Sequence, residues 1–255
     1  SPTCLFPPVS LLLSSLRFDS PRPRPTRGHG FATLGTSPIS QVHPSPVPPG
    51  VAMDKRQLSE ADIRTKYITP AIVGSPDAPK WNVLTQLREE VYFTAGRVVV
   101  RGRTVQRGAA RKADYLLYYK PNLCLAVVEA KDNTHSVGAG MQQALEYAEL
   151  LDLPFAYSSN GDAFLEHDRT GGSATVTREL PLAQFPTPDE LWHRYCAAKQ
   201  LTPREIAVTS QDDYDDGSQK SPRYYQQIAI NRTVEAIARG QPRLLLVMAT
   251  GTGKT

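Results

Sequence analysis

Apolar and polar residues repeat with two distinct periods along residues 53–255 and with none ahead of them. Residues 114–120 and 123–129 are dense in aromatic and aliphatic side chains, and Pro121-Asn122 separates them, which predicts a β-hairpin. Helical spacing begins at Ser59, a candidate N-cap with Asp62 three residues on. Ile63, Tyr67 and Ile68 form its stripe, and Pro70 is expected to end it. A second helix is predicted over 82–90, carrying Leu84 and Leu87, with strands at 91–93 and 97–101. Residues 140–151 place Met141, Ala144, Leu145 and Ala148 on one helical face. Strands follow at 154–158 and 163–166, with Asn160-Gly161-Asp162 as the turn between them. A short helix at 189–199 is followed by a longer one at 224–239, ended by Gly240. Residues 243–248 (RLLLVM) read as a strand buried on both faces. This order predicts an α/β sandwich around a mixed sheet flanked by helices.

The hairpin carries the first chemistry. With a two-residue loop, Lys120 faces Leu123, Tyr119 faces Cys124 and Asp114 faces Glu129. Opposed residues share a sheet face with Cβ atoms about 4.5–5.5 Å apart. Lys131, two residues beyond Glu129, falls on that face as well. Two like charges so placed are destabilising unless something lies between them. A divalent ion with a taste for hard oxygen, such as Mg²⁺, would resolve the conflict, and a lysine beside it suits a phosphate. Pro-Asn is poor chemistry for a two-residue turn, and a longer loop would shift the pairing.

Composition changes the picture mainly at the front. Eleven of the 22 prolines lie in residues 1–52, which hold four arginines against one aspartate. That stretch is expected to be a disordered tail, translated upstream sequence or a fusion remnant, with Met53 the true start. It accounts for most of the net charge of +4, so the basic balance says little about nucleic acid. Cys4, Cys124 and Cys196 are odd in number and widely spaced, which fits reduced thiols and neither a disulfide framework nor a zinc site. No apolar run nears the ~20 residues of a membrane span, so no membrane is expected and a cytoplasmic location fits. The five histidines show no useful spacing. The acidic run QDDYDDGSQKSP (211–222) reads as a solvated linker. Arg97, Arg101, Arg103, Arg107, Arg111 and Lys112 form a basic strip without an acid between them. It is either a solvated strand edge or a set of phosphate contacts leading to Asp114.

The spacing Asp114…Glu129-Ala130-Lys131 resembles the PD-(D/E)XK nuclease superfamily, although Ala113 stands where the name-giving proline would be. Gln143-Ala-Leu-Glu-Tyr147 resembles the Gln-X-X-X-Tyr motif of its RecB-like branch, and Glu60 the upstream acid of that branch. ATGTGKT, ending at Thr255, resembles motif I of superfamily 2 helicases, with Met248 at the first glycine position. Arg223-Tyr-Tyr-Gln226 resembles their Q motif. A RecB-like nuclease joined to such a motor resembles the restriction (R, HsdR) subunit of type I restriction-modification enzymes, over about 53–255.

The resemblance implies a restriction-endonuclease-like domain at 53–185, a linker with a short helix at 186–220, and at 221–255 the first helix and strand of a RecA-like motor lobe. It implies a Mg²⁺-dependent endonuclease on double-stranded DNA, working with methylation and specificity subunits and driven by ATP in the full-length family. Asp114, Glu129 and the Ala130 carbonyl would hold the metal. Lys131 would orient the attacking water or stabilise charge on phosphorus. Gln143, Tyr147 and Glu60 would be accessory. Gln226 would read adenine, while Gly251, Thr252, Gly253, Lys254 and Thr255 would cradle phosphates and Mg²⁺. Because the chain stops at the P-loop, the motor is expected to be truncated and without ATP hydrolysis. Two rivals stand beside this reading. One is a DNA-binding or docking module without cleavage; the other is a nuclease-helicase of another defence or repair system.

Overall fold

In the computed structural model, residues 54–94, 110–172, 175–212 and 222–248 are described in full, and 98–101 and 104–107 by backbone alone. The tail 1–52, most of the acidic run, the P-loop glycines with Lys254 and Thr255, and the side chains of Arg97, Arg101, Arg103 and Arg107 lie outside the described residues.

Ser59 caps the first helix as its sequence predicts: its side chain accepts from the Asp62 amide at 3.2 Å. The helix does not stop at Pro70. An α turn, α1 (Glu60–Ile63), runs into a π segment (Arg64–Ile68) and then into α2 (Thr69–Val73). Pro70 stands at the start of α2, where a missing amide donor is tolerated, and the wider π pairing carries the chain into it. Ile63, Ile68 and Ile72 from these turns are fully buried, worth about 1.5–3 kcal/mol each.

A small pair, β1 (Gly74–Ser75) and β2 (Ala78–Pro79), follows. The helix expected over 82–90 is absent. The Asn82 side chain accepts from the amides of Leu84 and Thr85, at 2.9 and 3.1 Å, and closes a tight turn instead. Leu84 is consequently exposed and Leu87 buried, so their spacing does not define a helical face. The chain then forms β3 (Leu87–Thr94), β4 (Val98–Arg101), β5 (Thr104–Arg107), β6 (Ala110–Lys120) and β7 (Leu123–Ala130). Helix α3 (Met141–Leu151) leads to β8 (Phe155–Ser159), β9 (Ala163–Asp168) and β10 (Thr177–Pro181). Gly161, in the turn before β9, has φ 84°, the left-handed region that glycine allows. Helices α4 (Pro188–Ala198), α5 (Pro203–Thr209) and α6 (Tyr224–Ala238) complete the described fold.

Six strands form one sheet in the order β10-β9-β8-β7-β6-β3. All its pairings are antiparallel except β7 with β8, which α3 connects. The first helix and α4 cover one face, burying Trp81, Tyr115, Tyr157, Phe164 and Trp192. Helix α3 covers the other through Met141, Ala144, Tyr147 and Ala148. This is the mixed α/β sandwich expected. The segment expected as a linker carries two helices, and Leu191, Trp192 and Cys196 of α4 join the core. Buried Glu166 on β9 accepts from Tyr157, Arg178 and Arg194, which also reaches Asp168 and so ties α4 to the sheet.

Helix α6 packs on the nearby end of the sheet. Tyr224 donates to the Thr94 carbonyl and meets Phe93 edge-on, and Asn231 donates to the Asn122 carbonyl at 2.9 Å. Residues 243–248 form no strand. No described strand lies beside them to complete a ladder, and Leu245 and Val247 are exposed.

Candidate active site

The β6–β7 ladder pairs Tyr115 with Val128 and Leu116 with Val127; one step further sets Asp114 opposite Glu129. Lys120 faces Leu123 as expected. Cys124, however, faces Tyr118 rather than Tyr119, because the ladder slips on either side of that pair and the slips cancel. The parity of the carboxylate end is therefore the predicted one. The two acids are tied to each other's strand: the Asp114 amide donates to Glu129 Oε1 at 3.3 Å, and the Ala130 amide to Asp114 Oδ2 at 2.8 Å. Both are buried.

They sit where β7 ends and the chain turns towards α3, outside the carboxyl end of a parallel pair, a frequent place for a site in α/β sheets. Gly140, at the N-terminus of α3, lets that helix approach. A Cβ there would lie 2.9 Å from Ser158 Oγ and 3.1 Å from Glu129 Cβ. Burial, reinforced by the charge of Asp114, pushes the Glu129 carboxyl up to about 8; the Asp114 amide and Lys131 pull the other way.

Around this pair the charges alternate in sign. Glu60 Oε2 lies 3.9 Å from Lys131 Nζ. Arg64 Nη1 lies 3.7 Å from Asp114 Oδ1 and 2.9 Å from Glu90 Oε1. Lys112 Nζ lies 3.3 Å from the same Glu90 oxygen. Hydrogen bonds from Arg64 and Lys112 hold the Glu90 carboxyl below its usual range. Glu60, Lys131, Glu129, Asp114, Arg64, Glu90 and Lys112 thus alternate negative and positive, except at Glu129 and Asp114. There two carboxylates adjoin with no side-chain cation between them.

Gln143 and Tyr147 are joined on α3, with Gln143 Nε2 3.0 Å from Tyr147 Oη. Tyr147 meets Phe93 edge-on at 5.0 Å, and Arg111 lies over its ring while pairing with Glu146 at 2.6 Å. His135 is a half-exposed loop residue bonded to Asp132. Gln226 lies in the first turn of α6, where its side-chain oxygen accepts from the Arg223 amide at 2.8 Å. Arg64 and Glu90 were not anticipated from the sequence. Arg64 could have been found, because it stands four residues after Glu60 and shares its helical side. Glu90 could not: its φ of 52°, unusual for a non-glycine strand residue, is a tertiary effect.

Among the described residues no group of three or more His, Cys, Asp and Glu side chains converges as a metal cage. Two carboxylates, a strand-end carbonyl and solvent nevertheless form an all-oxygen donor set of the kind Mg²⁺ accepts, since that ion keeps several waters. The site opens beside a groove of about 430 Å³ lined by Ala61, Arg64, Thr65, Glu89 and Glu90. A larger cavity, about 1390 Å³, lies around the hairpin tip and α6, away from these groups.

A mixed six-stranded sheet of this order, flanked by helices and carrying opposed acids at one strand end, is a restriction-endonuclease-like α/β fold. The chain is homologous to the endonuclease (HsdR) subunits of type I restriction enzymes. It is 50% identical over 199 residues to the type I restriction enzyme EcoAI endonuclease subunit of Escherichia coli, a match covering 78% of this chain and 24% of that protein. With the EcoKI endonuclease subunit of Escherichia coli K12 it shares 27% identity over 190 residues, 56% of this chain and 16% of the other. A solved fragment of an HsdR subunit of a type I restriction enzyme from Vibrio vulnificus YJ016 superposes with a TM-score of 0.61 at 44% identity. That match covers 78% of this chain and 36% of the solved one. Residues 219–255 match the family described as type III restriction enzyme, res subunit. The chain therefore spans about a quarter of the length of the first of these relatives. No helix among the described residues is long and apolar enough to cross a membrane.

Proposed function

We propose that residues 53–185 are a Mg²⁺-dependent nuclease domain of an ATP-dependent type I restriction subunit, that 186–220 connect it to a motor, and that 221–255 open a RecA-like lobe. The observation that carries the reading is the single break in the series of alternating charge, where buried Asp114 and Glu129 adjoin with no side-chain cation between them. Asp114, Glu129 and the Ala130 carbonyl would hold the metal, which when bound lowers the pKa of its water and polarises the scissile phosphate. Lys131, partly exposed at the strand end, holds the attacking water or faces charge developing on phosphorus. Glu60 keeps the Lys131 ammonium at this edge. Gln143 and Tyr147 position the DNA strand as a bonded pair, and Arg111 and Lys112, with Arg97, Arg101, Arg103 and Arg107, contact phosphates. In the motor, Gln226 reads adenine, and Gly251, Thr252, Gly253, Lys254 and Thr255 form the phosphate cradle for ATP and Mg²⁺. The partners are double-stranded DNA and the methylation and specificity subunits, in the cytoplasm.

The test is nicking or linearisation of plasmid DNA by the purified chain, with and without Mg²⁺. Cleavage should need the metal and vanish in Asp114→Asn and Lys131→Ala, with folding intact by circular dichroism. DNA binding without cleavage under every metal condition would instead establish a docking module. Methylation and specificity genes beside the coding sequence would separate a type I system from another nuclease-helicase.

A further inference from the structure

The carboxylate pair belongs to a longer row. Glu90 falls between the β3–β6 pairs Glu89–Tyr115 and Val91–Ala113, where its φ of 52° takes it out of the ladder, and Arg64 joins its carboxylate to that of Asp114. Three acids, Glu129, Asp114 and Glu90, therefore follow one another on three adjacent strands. Such a row has two gaps, enough for the paired ions about 3.5–4 Å apart that many phosphodiester-cleaving sites use. Only one gap is open. Arg64 stands at the other, bonded to Glu90 at 2.9 Å and 3.7 Å from Asp114.

Two unusual backbone features meet at this pair. The π segment of the first helix begins at Arg64, and Glu90 is held in the left-handed region within a strand. Strain of that kind persists only where the surroundings enforce it. The Arg64 side chain is largely buried and lies over the ring of Tyr115, 5.1 Å from its centroid. A guanidinium keeps its charge at any working pH and tolerates loss of water better than an ammonium. Lys112 gives Glu90 a second cation from the solvent side.

We infer that Arg64 is a positioning residue that fills the second cation place of the carboxylate row, so that the nuclease site takes one divalent ion, between Asp114 and Glu129, rather than two. This rests on the nuclease reading. It assigns Glu90 no metal in the native chain and makes it the partner that keeps Arg64 in place.

Mn²⁺ alone is the probe, titrated into the full chain by calorimetry and counted by electron paramagnetic resonance. One ion per wild-type chain is expected, with the spectrum of an isolated ion. Arg64→Lys and Glu90→Gln should also take one. Arg64→Gln should take two, with a spin-coupled spectrum, and Arg64→Gln/Glu90→Gln should return to one. A merely structural role for Arg64 would lower stability without raising the ion count. Two ions in the wild type, or one in a folded Arg64→Gln, would overturn the inference and leave the nuclease reading standing. No ion in the wild type would overturn the nuclease reading and this inference with it. Should Arg64→Gln not fold, Arg64→Met takes its place in the count: two ions support the inference and one overturns it.

Discussion

Replacing Glu129 with glutamine removes a charge and almost no volume, so it isolates the electrostatics of the carboxylate pair. The amide oxygen can still accept from the Asp114 backbone, as Glu129 Oε1 does at 3.3 Å. An acid whose folded pKa lies above its unfolded one binds more protons when folded. Its contribution is therefore fully present at low pH and is lost as pH rises. For Glu129 the window runs from the ordinary 4.5 to about 8. Ionising the side chain at pH 8 then costs the metal-free fold about 4 kcal/mol, a large part of a typical domain's stability. Urea unfolding in chelator, at a series of pH values from 5 to 8, should show wild-type stability falling and Glu129→Gln falling by about 4 kcal/mol less. Contributions common to both chains cancel in the difference. Free Mg²⁺ at about 100 times its dissociation constant should return about 2.7 kcal/mol to the wild type and much less to the variant. Equal pH slopes in the two chains would refute the claim that burial beside Asp114 strains this carboxylate.

Three further outcomes follow from the packing. Gly140→Ala, whose Cβ would press on Ser158 Oγ and on Glu129, should cost about 1–3 kcal/mol in urea unfolding. It should also reduce cleavage more than an equally destabilising change away from α3. Arg194→Met leaves buried Glu166 with Arg178 and Tyr157 alone and removes the Arg194 contact to Asp168. The cost should be about 3 kcal/mol, with part regained in Arg194→Met/Glu166→Gln; an unchanged midpoint would mean the pair carries no net stability. Ser59→Ala should cost about 1 kcal/mol through the lost cap, measured the same way, while Ser59→Asp should be nearly neutral.

What could be read from the sequence was whatever rests on local period. The hairpin announces itself by two apolar runs and a turn, and the parity of a strand then dictates that Asp114 and Glu129 share a face. Gln143 and Tyr147 are neighbours because four residues make about one helical turn. Reading failed where tertiary structure overrides period. Leu84 and Leu87 suggest a helix, yet the Asn82 side chain captures the local amides and a strand follows. Pro70 suggests a stop, yet a π segment carries the helix into it. The basic residues Arg64 and Lys112 look like ordinary surface charge until the fold brings Glu90 between them. Nothing local marks Glu90, because its meaning comes from Arg64, 26 residues earlier on the first helix.

The hairpin that carries the acids is gripped at its far end as well. Six residues from Asp114, Lys120 donates to the Ser210 carbonyl and pairs with Asp212. At the tip, Asn231 of α6 bonds the Asn122 carbonyl. Strands are nearly inextensible along their length, so β6 and β7 act as a strut about 20 Å long between the acids and these contacts. The paired slips beside Tyr118 cancel, so the end that carries Asp114 and Glu129 keeps its face whatever the register at the tip. A contact made at the docked tip is thus transmitted along the strut to the chemical end as position, with no change of face.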